Sequence, residues 1–281
     1  MPFVLTDAVD ATIEGSVDSP GRTVGSVGRA HLDALLGGPE ALSVSEHGVT
    51  LAVPPQSRDA ALATVNAMLR RQGTVTGWRD EIFAVVDPQT REPLARIERA
   101  ATRFWGLLTL GAHANGYLAD AGGRPTHLWI ARRADTKTTD PGLWDNLVGG
   151  GVPAGQSVWQ TLLREGFEEA GLTPALMQSA RPGSVMRIER DIPAGLQLED
   201  LHGHDLLLPA DFVPCNRDGE VQFFECLPIA DALALAASSE MTVDASLTTL
   251  DFALRHGLLP PTDATRLRQS FSCRVGGERK A

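Results

Sequence analysis

At 281 residues the chain is long for one domain of the usual ~100–200 residues, so two domains or one elaborated domain are expected. With 43% hydrophobic and 21% charged residues it has an ordinary globular composition, unlike that of a disordered, collagenous or membrane-embedded chain. Its 25 basic and 35 acidic side chains leave a net charge of -10, which repels phosphate polymers and argues against nucleic acid as a partner.

The start, Met1 to Asp7, lacks the basic and apolar runs of a secretory signal, and no stretch approaches ~18 uninterrupted apolar residues. No membrane partner is expected, and the cytoplasm follows as the default location. The cysteines, Cys215, Cys226 and Cys273, fit neither a CxxC metal pair nor a disulfide framework and read as reduced thiols. Lys137 and Lys280 are the only lysines, which singles out Lys137.

In chain order, Gly48 to Val53 reads as a short alternating strand. Ala60, Leu62, Val65, Met68 and Leu69 then recur at helical spacing until Gly73. Glu81 to Val86 is the next strand. After an arginine-rich passage from Arg96 to Arg103 come strand-like Leu107 to Leu110 and His127 to Arg132, separated by a turn at Ala121-Gly122-Gly123. This first part reads as a smaller α+β domain over 1–105, with the second domain over 106–281.

In the second domain, Gly149-Gly150-Gly151 reads as a loop before a helix over about 157–170. Ser157 and Gln160 fit a capping box, Val158, Leu162 and Leu163 a buried stripe, and Gly171 a stop. Further strands are expected at Asp205 to Leu208 and Val221 to Leu227. An alanine-rich helix starts near Ala230, and another carries Leu247, Leu250 and Leu254 before Gly257. The whole is α/β (α+β), the second half mixed.

On the helix after the glycines, Glu165, Glu168 and Glu169 stand at i, i+3 and i+4, which brings three carboxylates onto one face. Like charges at that spacing destabilise a helix by ~0.2–0.5 kcal/mol per pair, so the cluster calls for a counter-charge. Hard divalent cations prefer such oxygen ligands, and Mg²⁺ or Mn²⁺ is the expected cofactor. The bland alternative is a solvated acidic face partnered by Arg164.

From Gly150 the chain runs five residues to Gln156 and seven more to Arg164-Glu165-Gly166-Phe167-Glu168-Glu169-Ala170-Gly171-Leu172. This resembles the Nudix box, G-x5-E-x7-R-E-U-x-E-E-x-G-U with U apolar. Six glycine or polar positions match, which chance gives on the order of 10⁻⁵ times in such a chain. Gln156 in place of the first glutamate and Gly166 in an apolar slot depart from it. The resemblance implies a Nudix α/β/α sandwich with a mixed sheet and an enzyme that cuts diphosphate linkages. Glu165, Glu168 and Glu169 would be metal ligands and catalytic groups, Arg164 would orient them, and the loop at Gly150 and Gly151 would meet the diphosphate.

Flanking residues, among them Phe104-Trp105-Gly106, Leu128-Trp129-Ile130-Ala131-Arg132-Arg133, Asp218-Gly219-Glu220-Val221 and Arg255-His256-Gly257, look like the thiamine-pyrophosphokinase-associated Nudix hydrolases. Gly77-Trp78-Arg79-Asp80-Glu81 is similar to that family's leading domain of unknown function. The resemblance implies a small-molecule diphosphate substrate, thiamine diphosphate and its oxidised forms oxo- and oxythiamine diphosphate, cleaved to the monophosphate.

Other positions remain open between roles. Glu220 reads as a further metal ligand or base, or as a turn carboxylate; Lys137 as a contact for a terminal phosphate, or as a solvated loop lysine. His113 and Asn115 either reach the substrate or tie strands together, and Trp129 and Tyr117 read as core rather than as stacking platforms. Rival functions are a pyrophosphohydrolase of a nucleotide derivative such as ADP-ribose, NADH or a nucleotide sugar, and a non-catalytic Nudix-type ligand sensor. Isopentenyl diphosphate isomerase is disfavoured because no cysteine precedes Cys215. A homodimer stays open.

Overall fold

A computed structural model describes residues 1–7 and 21–272, so Cys273 and Lys280 lie outside the described residues. The chain divides into two compact units. The first comprises Met1–Thr109 with Pro153–Gly155 and Ile188–Glu199. The second comprises Leu110–Val152, Gln156–Arg187 and the described chain from Asp200 onward. Two later segments therefore belong to the first unit, which a single cut near residue 105 does not capture.

In the first unit, β1 (Pro2–Thr6), β2 (Arg22–Ser26), β3 (Leu42–Val44) and β4 (Val49–Ala52) form a sheet in the order β2-β1-β4-β3. β1 runs parallel to β4, with Phe3 opposite Val49, and antiparallel to β2. The period of two in β1 and β4 buries Phe3, Leu5, Val49 and Leu51. α1 (Arg58–Arg71) buries Leu62, Val65 and Leu69 at helical spacing, and Gly73 supplies the positive φ (74°) that ends its turn. Its buried Asn66 accepts a hydrogen bond from the Trp105 indole N–H at 2.8 Å, which satisfies the indole in the core, while the Asn66 amide nitrogen is buried with no partner among the described residues. The arginine-rich passage is partly strand: β6 (Pro93–Glu98) pairs antiparallel with β5 (Ile82–Val86).

A seven-stranded sheet, most of it in the second unit, comprises β7 (Leu108–Ala119), β8 (Pro125–Arg133), β9 (Trp144–Asn146), β10 (Val148–Gly151), β11 (Arg181–Ile192), β12 (Gly195–Leu207) and β13 (Val221–Pro228). The order is β11-β12-β7-β8-β13, with β10 on β7 and β9 on β8. Leu128 and Ile130 enter one core with α4 (Ile229–Ala236) and α5 (Val243–Arg255), whereas Trp129 enters the other with α2 (Val158–Ala170) and α3 (Pro174–Met177). Strand alternation thus places helices on both faces, the expected α/β sandwich. A last helix, α6 (Pro261–Ser272), was not anticipated.

Three expectations change. The triple glycine is strand β10 and not a loop, paired with β7 so that Gly149 faces His113 and Gly150 faces Ala112. The long strands β11 and β12 were read only at the end of β12, because charged residues interrupt their alternation. On α5 the inward stripe is Ala245, Thr248, Thr249 and Phe252, while Leu247, Leu250 and Leu254 are half-buried. A polar partner, Asn146, draws Thr249 inward. Among the described residues no helix is long and apolar enough to cross a membrane.

Candidate active site

The helix that carries the carboxylates is set at both ends by its own sequence. The Ser157 hydroxyl accepts from the Gln160 amide at 3.2 Å, and the Gln160 side chain accepts from the Ser157 amide at 2.8 Å. Gly171 closes the helix in the left-handed region (φ 67°). Gly166 lies buried where an added Cβ would stand 3.3 Å from the Met177 sulfur, so Met177 and Leu172 fill the volume of the side chain missing from the pattern. Gln156 accepts from the Thr161 hydroxyl at 3.1 Å.

Arg164 divides its guanidinium between two carboxylates, with Nη2 to Glu165 at 2.7 Å and Nη1 to Glu168 at 2.9 Å. These charge-assisted bonds orient both acids. Glu169, one turn after Glu165, is 5% exposed and accepts from the Gly149 amide at 2.9 Å. Burial, and then the charge of Glu165, pushes its carboxyl from 4.5 up to about 8, against opposing pulls from Lys137 and the Gly149 amide.

The glycines of β10 are required by this contact. A Cβ on Gly150 would lie 2.5 Å from the Glu165 carboxylate oxygen, and one on Gly149 would lie 2.7 Å from the His113 ring. The bare backbone of Gly150 leaves room for the Glu165 carboxylate of α2, and that of Gly149 for the His113 ring of β7.

Lys137 and Glu220, far apart in sequence, form an ion pair, and the lysine's charge also acts on Glu169. The Lys137 side chain is 9% exposed and Glu220 38%, so Lys137 is no solvated loop residue, contrary to the bland reading. His113 and Asn115 are enclosed and engaged within the protein. His113 Nδ1 pairs with Asn146 at 3.0 Å; Asn115 donates to the Thr248 carbonyl at 3.1 Å and accepts from Asn146 at 2.9 Å. Of the two roles open to them, these bonds are those of a tie between β7, β9 and α5. Tyr117 packs on Phe252 and His256, and Trp129 in the α2 core, as core residues.

The sequence reading missed the role of Asp145 and Arg133. Arg133 Nη1 reaches Asp145 at 2.7 Å, both are largely buried, and the Asp145 charge adds to the pressure on Glu169. A charged Asp145 followed by Asn146 ahead of Leu147-Val148 was the available signal.

Among the described residues no three His, Cys, Asp or Glu side chains converge as a ready-made metal cage. The donor chemistry nevertheless fits a hard dication, since Glu165, Glu168 and Glu169 offer only carboxylate oxygens. The mutual repulsion of Glu165 and buried Glu169 is of the kind that a bound cation relieves.

The box on α2 and the layered sheet define the class. A NUDIX domain model matches residues 109–243, and a model described as a domain of unknown function, DUF4743, matches residues 18–109. The chain belongs to the Nudix hydrolase family. An uncharacterized Nudix hydrolase of Pseudomonas aeruginosa is 33% identical over 132 residues, which are 43% of this chain and 75% of that protein. Nudix hydrolase 24, chloroplastic, of Arabidopsis thaliana is 38% identical over 209 residues, 74% of this chain and 56% of that relative. The chain thus spans little more than half the length of that relative. The crystal structure of DR0079 from Deinococcus radiodurans matches with a TM-score of 0.46 and 24% identity, over 61% of this chain and 97% of that one.

Proposed function

We propose that this protein is a metal-dependent diphosphatase whose substrates are thiamine diphosphate and, preferentially, its oxo and oxythiamine forms, cleaved to the monophosphate and phosphate. The observation that carries the reading is the buried Glu169, next to Glu165 on α2 and held by the Gly149 amide of β10. Glu165, Glu168 and Glu169 would hold Mg²⁺ or Mn²⁺. Such an ion, when bound, neutralises phosphate oxygens and lowers the pKa of water.

The chain's own groups supply the rest. Arg164 keeps Glu165 and Glu168 in fixed rotamers, and the Gly149 amide fixes Glu169. Lys137 brings a positive charge to Glu169, suited to a terminal phosphate, while Glu220 restrains it and stands ready as a base or further ligand. The thiamine assignment rests on the family resemblance. Its physical rationale is that oxothiamine has lost the thiazolium charge, whose desolvation a neutral pocket would penalise.

The test is a phosphate-release assay with Mg²⁺ on thiamine diphosphate, both oxidised forms, ADP-ribose and NADH, the last two coupled to a phosphatase. The highest kcat/KM is expected for an oxidised thiamine diphosphate. Faster turnover of ADP-ribose or NADH than of every thiamine compound would overturn the substrate, and no metal-dependent turnover of any diphosphate would overturn the enzyme.

A further inference from the structure

The first unit holds a cavity of about 380 Å³ that no part of the diphosphatase chemistry uses. It opens between the end of β1, the start of β2, the start of α1 and the start of β6, and its volume falls within the range of small-molecule sites. Arg58 stands in its wall with a side chain only 9% exposed. A guanidinium at that depth needs anionic compensation and filled donors. Arg58 has neither in full: Nη1 reaches the Leu94 carbonyl at 3.3 Å, Nη2 reaches Asp7 at 3.0 Å, and its buried Nε has no hydrogen-bond partner.

The rim adds to the positive character of the same wall. Arg22, 44% exposed, lines the cavity as a second guanidinium, paired with Glu92. The two acids that line the cavity sit on the water side, with Asp7 45% exposed and Glu92 54%, while Asp87, 15% exposed, stands 3.9 Å from Arg22 behind the rim. Exposed partners of this kind return to solvent at little loss, whereas Arg58 cannot. Leu5, Pro55, Pro93 and Leu94 supply apolar surface around the charged groups.

We propose that this cavity binds a small organic anion, a phosphate monoester or carboxylate, seated on Arg58 with Arg22 at the rim, and that the Asp7 carboxylate occupies the anion's seat when the ligand is absent. The apolar wall takes the organic body. Asp7 is then a competitor and not a structural ion-pair partner, and the two roles predict opposite effects of its removal.

The test is isothermal titration calorimetry of the full chain with phenyl phosphate and with benzoate, in EDTA so that the carboxylates of α2 hold no metal. Binding of at least one probe is expected to the wild type and to Glu169→Gln alike. Asp7→Asn should tighten it at least about threefold, since the competent state is no longer masked, and Arg58→Met should abolish it. Comparing the two probes distinguishes a phosphate from a carboxylate ligand. If Arg58→Met does not fold, the Asp7→Asn result decides alone. Absence of binding to both wild type and Asp7→Asn, or an affinity unchanged or weakened in Asp7→Asn, overturns the proposal.

Discussion

Replacing Glu169 by glutamine should make the metal-free protein more stable and the enzyme nearly inactive. The Glu169 carboxyl is lifted from 4.5 to about 8 by burial and by Glu165, so between those pH values the folded state keeps a proton that the unfolded chain releases. The native state therefore loses stability, relative to a neutral residue, progressively as pH rises from about 4.5 to 8, and no further above that. At pH 7 the interval of about 2.5 pH units, at ~1.4 kcal/mol each, sets an upper bound of ~3.5 kcal/mol, and relaxation around the site brings the expectation to about 1–3 kcal/mol. Glutamine is nearly isosteric and its carbonyl can still accept from the Gly149 amide, so no packing loss offsets the gain. In EDTA, Tm of Glu169→Gln should exceed that of the wild type by several degrees at pH 7, at ~2–4 °C per kcal/mol for a chain of this size, and by little at pH 4.5. With Mg²⁺ the difference should shrink or invert, because only the wild type keeps the full carboxylate set. kcat should fall at least ~100-fold. A Tm difference that is absent, or independent of pH between 4.5 and 8, would refute the burial argument; wild-type turnover in the variant would refute the mechanism.

Gly150→Ala places a Cβ against the Glu165 carboxylate, 2.5 Å from its oxygen, and should cost about 1–3 kcal/mol of stability in chemical denaturation, with weaker Mg²⁺ binding by calorimetry. Lys137→Met should lower kcat/KM for the diphosphate ~10-fold or more while leaving the fold's circular dichroism unchanged, and an unaltered kcat/KM would return Lys137 to a purely electrostatic partner of Glu220. Gln156→Glu keeps an acceptor for the Thr161 hydroxyl and should leave activity within a few-fold of wild type; complete inactivation would give Gln156 a role of its own.

The sequence alone determined α2, its ends and the carboxylates it carries, because those signals are local. The Ser157–Gln160 box, the left-handed Gly171 and the i, i+3, i+4 glutamates all act within a few residues of one another. Short strands rich in apolar and β-branched or aromatic residues, such as β4, β5 and β13, were legible for the same reason. What the tertiary structure decided is which side of each element is buried. Three glycines look like a loop until α2 is laid across them, and then they are the strand that Glu165 and Glu169 can approach. On α5 Thr249 turns inward because its hydroxyl accepts from Asn146, and the backbone carbonyl of Thr248 accepts from Asn115, while three leucines stay half-buried. The three glutamates are equivalent in sequence, yet Glu169 alone is enclosed, beside a lysine more than 30 positions earlier and an aspartate from β9. Burial and charge are set by neighbours brought together by folding, and local propensity carries no information about them.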